Sequence, residues 1–141
     1  NMSMLNKNSV FAIFMRLALI IVFFTPVVNA TEITDLMSHH LQAPFNEEIE
    51  MIKVRYAPGE KSEPHRHRAH TLVYMLEGTV EMQVEGGELV RLVAGDTFYE
   101  SPEDIHLVSR NASEESDAAF LVIFIKSQGA KTVIPLNELD G

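Results

Sequence analysis

His65 and His67 stand two residues apart, so on an extended segment both imidazoles point to one side and can grip a single cation, while Arg66 and Arg68 point to the other. An H-x-H pair alone is weak evidence, and the competing reading is of packed or solvated histidines. His70 offers a further nitrogen close by. Parity opposes it as a ligand: positions 67 and 71 share one face of an extended chain and 70 lies on the other, which gives His70 a role behind the ligands or at an entrance unless a loop intervenes. The adjacent pair His39 and His40 lies in a polar stretch far from other ligand types and reads as solvated. The chain of 141 residues has no Cys, which excludes disulfide staples, thiolate zinc sites and iron–sulfur clusters.

The segments around these histidines read as short strands. Residues 49–56 are apolar and β-branched and end at Ala57-Pro58-Gly59; residues 72–76 stop at Glu77-Gly78. Val80, Met82 and Val84 then alternate with Thr79, Glu81, Gln83 and Glu85, the period of a strand with one buried and one wet face. Gly86-Gly87 supplies a tight hairpin turn, because glycine accepts the positive φ that such turns require. Residues 89–93, 97–99, 106–109 and 118–126 complete the set, and no long amphipathic helix is visible among them. Regularly spaced short strands with turn signals predict an all-β sandwich or barrel. Residues 120–125 are apolar at every position, so both faces of that strand should be covered, one of them by a subunit interface or a terminal segment. Ile33, Leu36, Met37, His40 and Leu41 fit either a helical face or a strand.

Gly59 stands six residues before His65, and His106 follows His67 by thirty-nine, preceded by Gly95-Asp96-Thr97-Phe98-Tyr99 and Pro102. With these residues the chain resembles the cupin superfamily. The first cupin motif, G-x5-H-x-H-x3-E-x6-G, falls on Gly59, His65, His67, Thr71 and Gly78. The second, G-x5-P-x-G-x2-H-x3-N, falls on Gly95, Ser101, Glu103 and His106, with Asn111 one residue late. The resemblance spans about residues 48 to 126. It implies a double-stranded β-helix, or jelly-roll barrel, in which His65, His67 and His106 hold a divalent transition metal such as Fe, Mn, Ni, Cu or Zn.

One departure stands out: the family's usual carboxylate ligand is Thr71 here, a poor ligand for a divalent cation. A site of three neutral imidazoles keeps the metal's full charge, so it should attract chelating anions and acidify water strongly. The superfamily includes three-histidine dioxygenases of diketones and of thiols, so the resemblance points to a dioxygenase-like enzyme on a small chelating substrate. The alternative is a non-catalytic carrier or sensor of a metal or small ligand. A metal-independent isomerase would need a separate base in the pocket, and the sequence reading supplies none beyond the histidines. Tyr74, Met75, Met82, Phe98 and Tyr99 are the large residues available to line the pocket. Lys53, Arg55, Lys61, Arg66 and Arg68 either steer a small anion to its mouth or form a solvated strand face. Because imidazole must be neutral to ligate, metal-linked stability should fade as pH falls through about 6.

All twenty acidic residues lie after residue 30, while the first thirty carry only Lys7 and Arg16. A basic, apolar leader thus precedes an acidic body. The uninterrupted apolar run 17–24, the breaker Thr25-Pro26 and the small-residue sequence Val28-Asn29-Ala30 follow the order of a secretory signal peptide. The rival reading is an anchor over residues 10–28, opposed by Arg16 within the span. The expected organisation is a cleaved signal over 1–30, a lead-in over 31–47, the barrel over 48–126 and a C-terminal extension over 127–141, with the product periplasmic or secreted. The formal charge of −9 argues against nucleic acid and, once the leader is cleaved, against membrane surfaces as partners. A small-molecule ligand and a second copy of the chain are the partners expected.

Overall fold

The computed structural model describes residues 31–40 and 46–139. The signal-like leader and Leu41 lie outside these. Among the described residues ten strands follow one another: β1 (Glu32–His40), β2 (Glu47–Tyr56), β3 (His65–Arg66), β4 (His70–Glu77), β5 (Thr79–Val84), β6 (Val90–Val93), β7 (Thr97–Glu100), β8 (Ile105–Asn111), β9 (Ala118–Ser127) and β10 (Ile134–Pro135). They build two five-stranded sheets, ordered β1-β2-β9-β4-β7 and β10-β3-β8-β5-β6, with every pairing antiparallel. Among the described residues no helix is long and apolar enough to cross a membrane.

The alternation in β5 works as the sequence suggests, with Val80 and Met82 fully buried. Gly86, at φ 77°, turns the chain back into the hairpin toward β6, closed by the Gly87 N–H donating to the Val84 carbonyl at 3.0 Å. In β4 the residues Thr71, Val73 and Met75 face the interior, and Leu72, Tyr74 and Leu76 face out. In β9 Phe120, Val122 and Phe124 are buried, while the intervening Leu121, Ile123 and Ile125 are only partly covered.

The segment that fitted either helix or strand is a strand. β1 pairs with β2 from Glu32 opposite Arg55 to His40 opposite Glu48, with a bulge between Asp35 and Met37. Pairing satisfies the backbone groups that β2 would otherwise present along its edge, and that gain outweighs a weak helical pattern. At the other end of the chain β10 pairs with β3, Pro135 lying opposite His65. Asn111 is buried, its amide donating to the carbonyls of Ala57 (3.0 Å) and Ser116 (2.7 Å), so it ties loops together.

Lys126 is the one inward-facing cation of β9. Its ammonium donates to Glu48 and to the Ala130 carbonyl at 2.7 Å and lies 3.4 Å from Glu50. Glu48 also accepts the Gly129 N–H at 3.2 Å. This buried clasp fixes the turn after β9, from which the chain runs on to β10 across the histidines.

Candidate metal centre

His65 and His67 flank Arg66, and β3 is held on both sides. His65 lies opposite His106 of β8, and Arg66 lies opposite Ile134 of β10. This brings the three imidazoles together, buried, with one nitrogen from each inside a sphere of mutual separations no larger than 4.8 Å. Two ring orientations are fixed by backbone carbonyls, which only accept hydrogen bonds. His65 Nδ1–H donates to the Glu63 carbonyl at 2.7 Å, and His67 Nδ1–H donates to the Thr132 carbonyl. The lone pair of each ring is therefore on Nε2, and these two nitrogens face each other at 3.0 Å. Two facing lone pairs at this distance repel unless a cation or proton lies between them. Both nitrogens of His106 are buried without a hydrogen-bond partner.

Burial keeps the cluster neutral. It lowers His67 to about 4 and His106 to about 3, with a smaller contribution in each from neighbouring imidazoles, and it lowers His65 as well. His67 and His106 are therefore ready to ligate well below pH 6, so the loss of metal-linked stability through imidazole protonation moves to lower pH.

One residue of the site was missed by the sequence reading. Glu100, at the end of β7, is 1% exposed, with Oε1 3.2 Å from His106 Nδ1 and Oε2 3.9 Å from His67 Nε2. Neither oxygen has a hydrogen-bond partner. Burial, with a smaller push from Asp104, raises its carboxyl to about 8. These close approaches are therefore between uncharged groups at neutral pH. No spacing rule ties position 100 to a histidine motif; the available signal was one acidic residue at the end of an otherwise uncharged short strand.

The remaining candidates divide by strand parity. Thr71 is fully buried on the interior face, its hydroxyl turned toward the Ala69 carbonyl at 3.4 Å. His70 stands on the opposite face, exposed, with Nδ1 2.8 Å from the Tyr99 hydroxyl. Among the proposed pocket residues Met82 lines the cavity beside the histidines, Met75 is packed in the core, and the Phe98 ring lies 6.0 Å from that of His106. Tyr74 and Tyr99 do not line it: the pleat turns both to the outer face, about half exposed.

The cavity holds about 400 Å³ and is walled by Ile52, Val54, Val73, Phe120, Val122 and Phe124. A hydroxyl pair, Tyr56 and Ser109 at 2.9 Å, also lines it. Its acidic lining residues are Asp35, Glu50, Glu63 and the protonated Glu100, and no Lys or Arg is among the described residues that line it. The basic cluster is elsewhere. Lys53 and Arg55 alternate with the inward residues of β2, Arg55 bonding Glu77 (2.6 Å) and Asp117 (3.0 Å), while Lys61 and Arg68 are exposed. Arg66 reaches toward Glu103 at 4.0 Å. None of the five lines the cavity: Lys53, Arg55, Lys61 and Arg68 lie on a strand face and loop, and Arg66 is only partly exposed, with its Nε buried.

Two antiparallel sheets enclosing three inward imidazoles define a small jelly roll with a candidate metal centre. Residues 52–124 match the cupin domain, and the chain belongs to the cupin family. A cupin 2 conserved barrel domain protein from Salinispora arenicola is 23% identical, with 68% of this chain and 76% of that chain covered and a TM-score of 0.53. KdgF from Halomonas sp. is 22% identical over 70% of this chain and 81% of that one, with a TM-score of 0.54. The DMSP lyase DddQ from Ruegeria pomeroyi is 20% identical over 64% of this chain, which spans 44% of that protein, with a TM-score of 0.55. At these identities the likeness establishes the fold. No curated protein matches the chain.

Proposed function

We propose that the protein is an exported, metal-dependent cupin that binds a divalent transition ion through His65, His67 and His106 and acts, in the manner of a dioxygenase, on a small chelating substrate. The observation that carries the metal reading is the pair of Nε2 lone pairs facing each other at 3.0 Å, each ring held in that orientation by a carbonyl behind it. A bound ion would supply Lewis acidity to a substrate that chelates it. The apolar walls exclude water and take the body of the substrate, and Tyr56 and Ser109 offer hydroxyls to a substrate oxygen. With Asp35, Glu50 and Glu63 on the lining, Glu100 protonated, and no Lys or Arg, the cavity suits a compact molecule that is neutral in solution and becomes a chelating anion on losing a proton. A diketone, catechol, flavonol or thiol has that character. Export rests on the leader, and a homodimer rests on the apolar outer face of β9.

The test is oxygen uptake by protein loaded in turn with iron, manganese, copper and nickel, against a panel of those four substrate types. Turnover that disappears in His67→Ala and persists in His70→Ala supports the enzyme. A fully metallated wild type that is inert across the panel moves the assignment to a carrier or sensor.

A further inference from the structure

The β4–β7 ladder places Thr71 directly opposite Glu100. Both are buried, at 0% and 1% exposure, and their side chains share the interior face of the sheet. Neighbouring strands lie about 4.8 Å apart, a step that a glutamate side chain can cover where threonine cannot. We propose that Glu100 is the fourth protein donor of the metal centre, supplying from β7 the carboxylate that the motif lacks at position 71 of β4. The inference rests on the reading that the three histidines hold a divalent cation.

Three observations carry it. Glu100 has two buried oxygens and no donor for either, although buried carboxyls ordinarily find one. Its Oε2 lies on the side of His67 Nε2, the nitrogen left free once Nδ1 is committed to Thr132. Its Oε1 is 3.2 Å from His106 Nδ1, yet the two do not align as a hydrogen bond, and both atoms remain without a partner. A carboxylate whose task was only to orient the His106 ring would accept an aligned N–H from it. As placed, the mutually close group is the three imidazole nitrogens, with Glu100 beside it at 3.9 Å from His67 Nε2; a turn of its side chain toward a cation held there would satisfy the carboxylate, both facing lone pairs and a nitrogen of His106 together. The donor set is then three nitrogens and one oxygen, with one negative charge. It retains divalent iron, manganese, nickel and zinc better than three imidazoles alone and disfavours monovalent copper.

The test compares wild type, Glu100→Gln, Glu100→Thr, the exchange Thr71→Glu/Glu100→Thr, and His67→Ala. Affinity for Mn(II) and Zn(II) is measured by competition with a chromophoric chelator, and folding of each metal-free protein is checked by circular dichroism. Loss of a partner behind a ligand costs 10- to 100-fold in affinity as a rule, so loss of the ligand itself should cost about 100-fold or more in Glu100→Gln and Glu100→Thr. The exchange should recover affinity to within about tenfold of wild type, because the carboxylate returns to the same centre from the paired strand. A carboxylate at position 71 is itself the motif's usual ligand, so the exchange tests whether the centre accepts a carboxylate donor from the paired strand, and the size of the loss in Glu100→Gln decides whether Glu100 is that donor in the wild type. The proposal is overturned if Glu100→Gln binds as wild type does, or if the exchange binds no better than Glu100→Thr. Metal uptake that survives His67→Ala, or a wild type that takes up no ion, would instead overturn the histidine centre and this inference with it.

Discussion

His67 and His106, held neutral to about 4 and about 3, and Glu100, held protonated to about 8, pull stability in opposite directions as pH changes. In the unfolded chain the imidazoles take up protons near 6.5, so below that value the unfolded state binds more protons than the folded one and stability falls with pH. Glu100 is the reverse: its folded value lies above its unfolded 4.5, so the folded state holds the extra proton between 4.5 and about 8, and stability falls as pH rises through that window. Below pH 6.5 at least two imidazoles outweigh one carboxyl; above it only Glu100 still titrates. The metal-free protein should therefore be most stable near pH 6.5, with a urea midpoint that declines on both sides. Glu100→Gln should flatten the alkaline side alone. A metal-free wild type whose midpoint is level from 6.5 to 8 would contradict the state assigned to Glu100.

Among the elements, the turn from β4 into β5 sets which strands can meet across the barrel. Gly78 sits there at φ +73°, where a Cβ would lie 2.5 Å from the Asp117 carbonyl oxygen and 2.7 Å from the Ala118 Cα. That backbone lies at the start of β9, the strand that pairs with β4. Gly86 has a similar φ of +77° but open space around it. The two turns separate conformational strain from collision. Gly86→Ala should cost about 1 kcal/mol, the left-handed strain of a side chain, and Gly78→Ala at least about 3 kcal/mol, because backbone must also move. Chemical denaturation of the pair measures the difference, and equal losses would show that the close approach carries no energetic weight. The strap from Lys126 to β10 belongs to the same scale: residues after the barrel motifs deliver the Thr132 carbonyl that orients His67.

At the scale of the whole molecule, the described residues leave a broad apolar face of the first sheet uncovered. Across the first sheet Met51, Ile123, Leu72 and Tyr99 stand in one register row over β2, β9, β4 and β7, with Leu72 41% and Tyr99 54% exposed. A face of this kind is suited to pack against its own copy about a twofold axis. Thr31, the residue that would begin the chain after cleavage, hydrogen-bonds Glu60 and lines the cavity. Native mass spectrometry of protein expressed from the full sequence should return a dimer of chains that start at Thr31, and Leu72→Glu combined with Ile123→Lys should return monomers that bind metal as before. A wild-type monomer at micromolar concentration removes the dimer. A chain mass that includes residues 1–30 removes the cleavage.

The strands β2 and β4 to β9, their turns and the three histidines were legible in the sequence because they depend on local rules: period-two alternation in β5, glycine at positive φ after it, and motif spacing around His65, His67 and His106. Parity alone was enough to turn His70 away from the interior. The rest depends on pairings between distant segments. β1 became a strand because β2 offered it an edge, and Tyr74 and Tyr99 were lost to the cavity because the pleat of β4 and β7 turns them outward. Glu100 could not be found by counting along the chain. It is 29 positions from Thr71 in sequence but directly opposite it in the sheet, and cross-strand register, which only the folded structure fixes, decides what surrounds it.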